Sequence, residues 1–178
     1  MPLSTFQWRT KDRNFSEYGK GEDLVIGEFA DDMKFGVLIC YESIFPKHSR
    51  LLRKEGADIL VNITNDSWLQ SGWNGVPYRT LAFWQHPAHL IMRAIENRVP
   101  IIRSANTGIS GVITPDGKIQ NKIKIDQEKI IVERVNLSES GSFYTKFGDI
   151  FALFCFLITS LDKPLGPAMP KKIAGDKG

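Results

Sequence analysis

The sequence predicts an α/β fold with a mixed sheet, and three observations carry that reading. Residues 35–39 and 59–64 are near-continuous apolar runs, the pattern of strands covered on both faces, and 101–104 reads as a third strand. Helical patterns separate them, at 49–55 and again from His86 to Asn97. Strand, helix and strand in that order imply a right-handed crossover and parallel neighbours.

The elements follow in order. Residues 1–27 are polar with scattered aromatics (Phe6, Trp8, Phe15, Tyr18) and read as an irregular lead-in. The first apolar strand ends at Cys40, and an amphipathic helix over 49–55 stops at Gly56. The second strand, 59–64, meets Asn65-Asp66-Ser67-Trp68, and residues 69–76, rich in Gly, Ser, Asn and Trp, read as a loop. Proline suits the first turn of a helix, so Pro87 sets a helix start near His86, and Pro100 ends that helix. The third strand, 101–104, opens into a polar loop ending at Ser110. Residues 111–114 and 118–119 flank the turn signal Pro115-Asp116-Gly117, and 129–135 read as a further strand. Residues 150–161 form a short, uncharged C-terminal helix of mostly large apolar residues. Twelve helical residues cover about 18 Å, short of a bilayer core. Asp149 before the run, and Lys163, Lys171, Lys172 and Lys177 after it, nevertheless flank it as a membrane segment is flanked. The organisation is thus a lead-in (1–27), a domain (28–140), an apolar, membrane-associated segment (141–163) and a basic flexible tail (164–178).

Bulk properties remove several function classes. A chain of 178 residues, 42% hydrophobic and 24% charged, is an ordinary globular composition with room for one core. A net charge of +3 without a basic stripe speaks against nucleic acid. The two cysteines, Cys40 and Cys155, lie in unlike contexts, so no disulfide framework is expected. His86 and His89 stand three apart but lack further ligands, so neither a metal nor a cofactor is expected. Residues 2–23 carry no apolar run of a secretory leader.

Cys40 is the candidate nucleophile. A thiol at the end of a buried strand is held rigidly while its sulfur faces the next loop, which fixes attack geometry in advance. A free cysteine there also reads as a small buried hydrophobe. Company shifts the balance: Cys40, Asn65-Asp66 and Ser104 to Asn106 end three strands that, if parallel, open on one sheet edge, where ligands of open α/β sheets bind. Taken singly, Asn-Asp-Ser is common turn chemistry, and Asn106-Thr107-Gly108 is a turn with a positive-φ glycine.

Several runs carry a family resemblance. They are Ile39-Cys40-Tyr41-Glu42-Ser43-Ile44-Phe45-Pro46, the stretch from Gly56 to Asn65-Asp66-Ser67-Trp68, and Met92-Arg93-Ala94-Ile95-Glu96-Asn97 through Ser110 with its Pro115-Asp116-Gly117 turn. Together they resemble the carbon–nitrogen hydrolase (nitrilase) superfamily, from Lys34 to about Phe151. Within it, Cys-Tyr-Glu, Asn-Asp-x-Trp, Arg-Ala-Ile-Glu-Asn and the lead-in Tyr144 to Asp149 are most similar to the bacterial apolipoprotein N-acyltransferases. Generic amidases of the superfamily more often carry Cys-Tyr-Asp.

The resemblance implies the C-terminal part of a nitrilase-like α/β/β/α sandwich, incomplete here, followed by the short apolar helix. It also implies a two-step acyl transfer with Cys40 as nucleophile. The acyl donor would be a membrane phospholipid and the acceptor the N-terminal amine of a diacylglyceryl-modified lipoprotein. The setting would be the bacterial inner membrane, with the catalytic part outside the cytoplasm. Glu42 accompanies Cys40 in the catalytic loop and is expected to orient it rather than act as main base. Tyr41 either lines an acyl pocket or belongs to the core. Asn65, Asp66 and Trp68 fall on the substrate side, while Arg93 and Glu96 read as a helix ion pair. Two departures stand out. The family's upstream glutamate base and oxyanion lysine find no matching context in the 39 residues before Cys40, so a separate N-terminal chain becomes a candidate partner. A Gly-Pro-Tyr-Gln-His run is split into Val76-Pro77-Tyr78 and Gln85-His86. The chain alone is then expected to be inactive, and a soluble amidase or a non-catalytic remnant are the competing readings.

Overall fold

The structure, a computed structural model, describes residues 23–29, 32–73, 76–125 and 127–161. The expected tail at 164–178 and most of the expected lead-in lie outside the described residues. Where description begins, the chain is already regular: β1 (Ile26–Glu28) pairs antiparallel with β2 (Lys34–Ile39), inside the stretch read as irregular. Three residues are too few to show an alternation in sequence.

From β2 the chain makes a helical turn (Cys40–Ile44) and enters α1 (Pro46–Lys54), with Pro46 in the first turn, where a missing N–H costs nothing. β3 (Ile59–Thr64) follows, then a short turn (Ser67–Leu69). The stretch expected to be a loop instead forms the antiparallel ribbon β4 (Gln70–Trp73) and β5 (Val76–Arg79). Its sequence signal is the Asn74-Gly75 dipeptide between the strands, a tight-hairpin pair. Helix α2 (Ala82–Asn97) starts four residues earlier than expected and holds Pro87 in its interior. Burial of Phe83 in the turn ahead of the proline extends the helix despite the missing donor. β6 (Ile101–Ala105), β7 (Ser110–Ile113) and β8 (Ile119–Ile123) complete the sheet.

The sheet order is β1-β2-β3-β6-β7-β8. β2, β3 and β6 are parallel, and the outer strands run antiparallel to their neighbours. Leu38, Leu60, Ile101 and Ile113 point to one face and pack with Leu52 of α1 and Leu90 and Ala94 of α2. Gly36 lets α1 approach: a Cβ there would stand 3.0 Å from Leu52. The opposite face carries Val37, Val61 and Ile102 in register, then Ile39, 64% exposed, beside Ile63, 55% exposed. The described residues thus form one helix layer and one sheet of the four-layer sandwich, with the second sheet face uncovered.

Residues 129–135 do not form the expected strand. Their backbone pairs with no strand among the described residues, and Ile130 and Val132 are exposed. A run rich in β-branched residues becomes a strand only where a neighbour accepts its hydrogen bonds. Beyond them, Arg50 donates to the carbonyls of Tyr144 and Lys146, at 2.9 and 3.0 Å, and so ties the short α3 (Phe143–Phe147) to α1. α3 leads into α4 (Ile150–Leu161), the expected apolar helix, whose side chains from 150 to 160 are all exposed.

Leu60 sits fully buried on the central strand between α1 and α2. Leu60→Ala is expected to cost about 2–5 kcal/mol of unfolding free energy, read as a lowered urea midpoint with an unchanged slope.

Candidate active site

Parallel pairing in register brings the ends of β2, β3 and β6 to one edge of the sheet. Cys40, half-buried and reduced, occupies the first of these ends in a left-handed backbone conformation (φ 50°). That conformation costs a non-glycine residue about 1–2 kcal/mol, so its surroundings must hold it. Glu42 does part of this: its Oε2 accepts the Ile39 N–H at 2.8 Å and closes the turn. The carboxylate beside Cys40 is therefore engaged with its own backbone and organises the loop.

The Cys40 carbonyl is the better-anchored end. It accepts from Ser43 Oγ at 3.1 Å and from Asn62 Nδ2 at 3.3 Å, and His86 Nε2 lies 3.2 Å away. Asn62 and His86 connect this carbonyl to a fully buried charge cluster. Arg103 donates to Asn62 Oδ1 and to Asp66 Oδ2, both at 2.5 Å, and to the Ile109 carbonyl at 2.9 Å. Asp66 Oδ1 lies 3.0 Å from His86 Nδ1 and accepts from Thr64 Oγ1 at 3.0 Å. His86 Nε2 also lies 3.1 Å from Ser43 Oγ. Burial alone would push the Asp66 carboxyl up, but the His86 hydrogen bond and the Arg103 charge hold it below its ordinary value. Burial lowers Arg103 from its usual value, with Asp66 opposing.

The expected site residues divide accordingly. Cys40, Tyr41, Asn65 and Trp68 reach the open edge, where Tyr41 and Trp68, both about half exposed, meet edge-on at 6.0 Å. Tyr41 is thus a rim residue and not core. Asn65 Oδ1 accepts from Asn106 Nδ2 at 2.7 Å, which ties the second strand end to the third. Asp66 is different: it is 0% exposed with both oxygens bonded, so it supports the edge from beneath instead of touching a ligand. Gly108 is needed for space rather than for positive φ, because a Cβ there would collide with Asp66 Oδ2. A cavity of about 460 Å³ lies on the open side of β6 and β7 between Ile102, Ser104, Val112 and Val135; Cys40 does not line it.

Sequence reasoning missed Ser43, Asn62, His86 and Arg103 as site residues. The available signal was polarity inside apolar strands: Asn62 and Arg103 interrupt runs that point to the helix layer, where an unpaired charge is costly. His86 drew notice as a helix start, as half of an unsupported metal pair and as the end of the split Gly-Pro-Tyr-Gln-His run, none of which placed it beneath Cys40.

Two outcomes test this network. Gly108→Ala should push the β6–β7 loop off Asp66 and lower thermal stability by several degrees in a melting experiment. Because the folded Asp66 value is depressed, its stabilisation is present above the ordinary carboxylate range, about pH 4, and is lost as pH falls below it. Chemical denaturation from pH 7 downwards should therefore show an acid-side loss that is shallower in Asp66→Asn, a variant already weakened at pH 7.

The carbon–nitrogen hydrolase family matches residues 3–144. Among curated relatives, the chain is 43% identical over 122 residues to the apolipoprotein N-acyltransferase of Geobacter metallireducens, covering 68% of this chain and 22% of that protein. It is 36% identical over 157 residues to the apolipoprotein N-acyltransferase of Rickettsia bellii, covering 85% of this chain and 30% of that one. The chain therefore spans about a quarter of the length of these relatives. Among solved structures it resembles Nit3 of Saccharomyces cerevisiae, a member of the nitrilase superfamily, with TM-score 0.50 and 23% identity over 62% of this chain and 40% of that one, a likeness of fold. A cysteine at the end of a parallel strand, a nitrilase-like half-sandwich and a match over most of its length lead to one assignment: this chain belongs to the carbon–nitrogen hydrolase family.

Proposed function

We propose that this chain carries the nucleophile of an N-acyltransferase that completes lipoproteins, moving an acyl chain from phospholipid to the N-terminal amine of a diacylglyceryl-modified protein. The observation that carries the reading is Cys40 itself, held in a left-handed turn at an edge formed by three parallel strand ends. Similarity to curated proteins of that name supports the choice of reaction over others in the family.

In the first step the Cys40 sulfur attacks the ester carbonyl. An S–C bond forms, the ester C–O bond breaks, and the lysophospholipid leaves with the thiol proton. In the second step the acceptor amine attacks the thioester. A C–N bond forms, the C–S bond breaks, and a proton from the amine returns to the sulfur. Splitting one difficult transfer into two easier steps is what a thiol nucleophile offers. Tyr41 and Trp68 form the rim over which the acyl chain and acceptor approach.

A general base and an oxyanion cation complete such a site. Among the described residues the hydrogen-bond partners at Cys40 are Ser43, Asn62 and His86, with no glutamate or lysine. The reading assigns both groups to the remainder of the domain, docked on the uncovered sheet face at Ile39 and Ile63, so the chain alone turns over slowly. No described helix is long and apolar enough to cross a membrane. α4 serves instead as an apolar attachment at the outer face of the bacterial inner membrane, which brings the site to its lipid donor.

The test uses an activated donor, a p-nitrophenyl ester of a fatty acid, whose leaving group needs little acid or base assistance. Mass spectrometry should find the acyl mass on Cys40, and a peptide beginning with diacylglyceryl-cysteine should remove it as an amide. In Cys40→Ala the acyl-protein signal should fall to background, leaving Cys155 as an internal control thiol. Undiminished acylation in that variant would overturn the reading; release to water in preference to the amine would favour a hydrolase.

A further inference from the structure

Side chains exposed from 150 to 160 leave α4 without a packed face among the described residues, so its direction is set where it begins, at α3. That five-residue helix is held from two sides. On one side, its N-cap Ser142 donates through Oγ to the Glu96 carbonyl, and Thr145 Oγ1 donates to Asn97 Oδ1 at 3.2 Å, both at the end of α2. On the other side stands Arg50 of α1. The last carbonyls of a helix have no partners within it, and here Arg50 supplies them. Its Nε donates to the Tyr144 carbonyl at 2.9 Å and its Nη2 to that of Lys146 at 3.0 Å. The Tyr144 carbonyl also accepts the Gly148 N–H at 2.7 Å, so both its lone pairs are used.

The same guanidinium lies at the bend into α4. Gly148 takes a positive φ of 66°, and a Cβ on it would stand 3.1 Å from Arg50 Cζ, so the chain turns directly against the arginine. A guanidinium suits this joint, because its planar fork bonds two carbonyls at fixed angles where an ammonium acts as a point charge. Only Phe45 separates α1 from the Cys40–Ile44 turn. The helix that leaves the Cys40 turn therefore holds the root of the apolar helix. α3 itself adds the exposed Phe143 and Phe147, with rings 4.6 Å apart, to the apolar surface of α4.

We infer that Arg50 is a positioning residue that fixes the angle between α4 and the Cys40 edge, so that attachment to a phospholipid surface presents Cys40 to acyl esters held in that surface. The surface it serves is matched by the twelve uncharged, mostly large apolar residues of α4. The inference rests on two parts of the proposed function, Cys40 as nucleophile and α4 as membrane attachment. Arg50 touches no reacting group and acts only through α3.

The test compares two esters in one suspension of phosphatidylethanolamine–phosphatidylglycerol vesicles. p-Nitrophenyl palmitate is carried in the lipid, and p-nitrophenyl acetate is dissolved in the water around it. Each transfers its acyl group to the Cys40 sulfur as p-nitrophenol leaves, and mass spectrometry follows both adducts in the full chain. Arg50→Met keeps the packing of the side-chain stem but removes both bonds to α3. Insertion of two glycines between Gly148 and Asp149 keeps those bonds and frees the bend. Flotation with the vesicles and the melting temperature are recorded for each chain. Orientation of reacting groups is worth an order of magnitude or more in rate, so both variants should float as the parent does, lose about tenfold in palmitate acylation and stay within about threefold of it with acetate. The inference is overturned if either variant takes palmitate from the vesicles at the parent rate. It is also overturned if both esters slow together with a fall in melting temperature, which marks a packing role only. A parent chain that forms no Cys40 adduct with acetate would instead sink the nucleophile assignment, and one that does not float would sink the reading of α4.

Discussion

Asp66 is a carboxylate with no access to solvent, placed between a guanidinium and an imidazole, and the functional edge is organised around it. Removing such a charge from water is expensive, and an ion pair in the interior roughly offsets that cost without exceeding it by much. The Asp66–Arg103 pair is therefore weak evidence for stability but strong evidence for fixed geometry. Each of its remaining hydrogen bonds reaches a different part of the edge: Asn62 and Thr64 on β3, His86 on α2, and Ile109 in the loop after β6. Few other arrangements of these three strand ends would leave all of those groups satisfied.

The sheet supplies the frame that this cluster needs. Side chains alternate along a strand, so Asn62 and Arg103 reach the helix layer only in the observed parallel register. A slip by one residue would carry both to the opposite face and strand Asp66 without its cation. Leu38 and Leu60, on the same face, supply the apolar burial that holds the register. The geometry of the Cys40 edge and core packing are in this sense read from one alternation.

That division explains what was legible in the sequence. β2 and β3 were visible as apolar runs, because burial on both faces leaves a continuous signature, and β6 from Ile101-Ile102 after the helix-ending Pro100. Cys40 was visible because it ends one of those runs and sits in a recognisable local motif. The network behind it was not, since most of the contacts that close it join residues 20 to 46 positions apart, as Asp66 with His86 and His86 with Cys40. Asp66 was noticed, but its neighbours in sequence suggested an exposed turn. Local propensity also misled where tertiary contacts override it: Pro87 marked a helix start that Phe83 moved forward, and the β-branched run at 129–135 finds no strand to pair with among the described residues.

The uncovered sheet face has a thermodynamic consequence. Ile39 and Ile63 lie in register on adjacent strands, immediately ahead of the Cys40 turn. A partner that recognises this surface can bind only the folded sheet, because the unfolded chain does not present it. For any such partner, occupancy and folding would share a single equilibrium, and the stability of the Cys40 turn would rise with the logarithm of partner concentration.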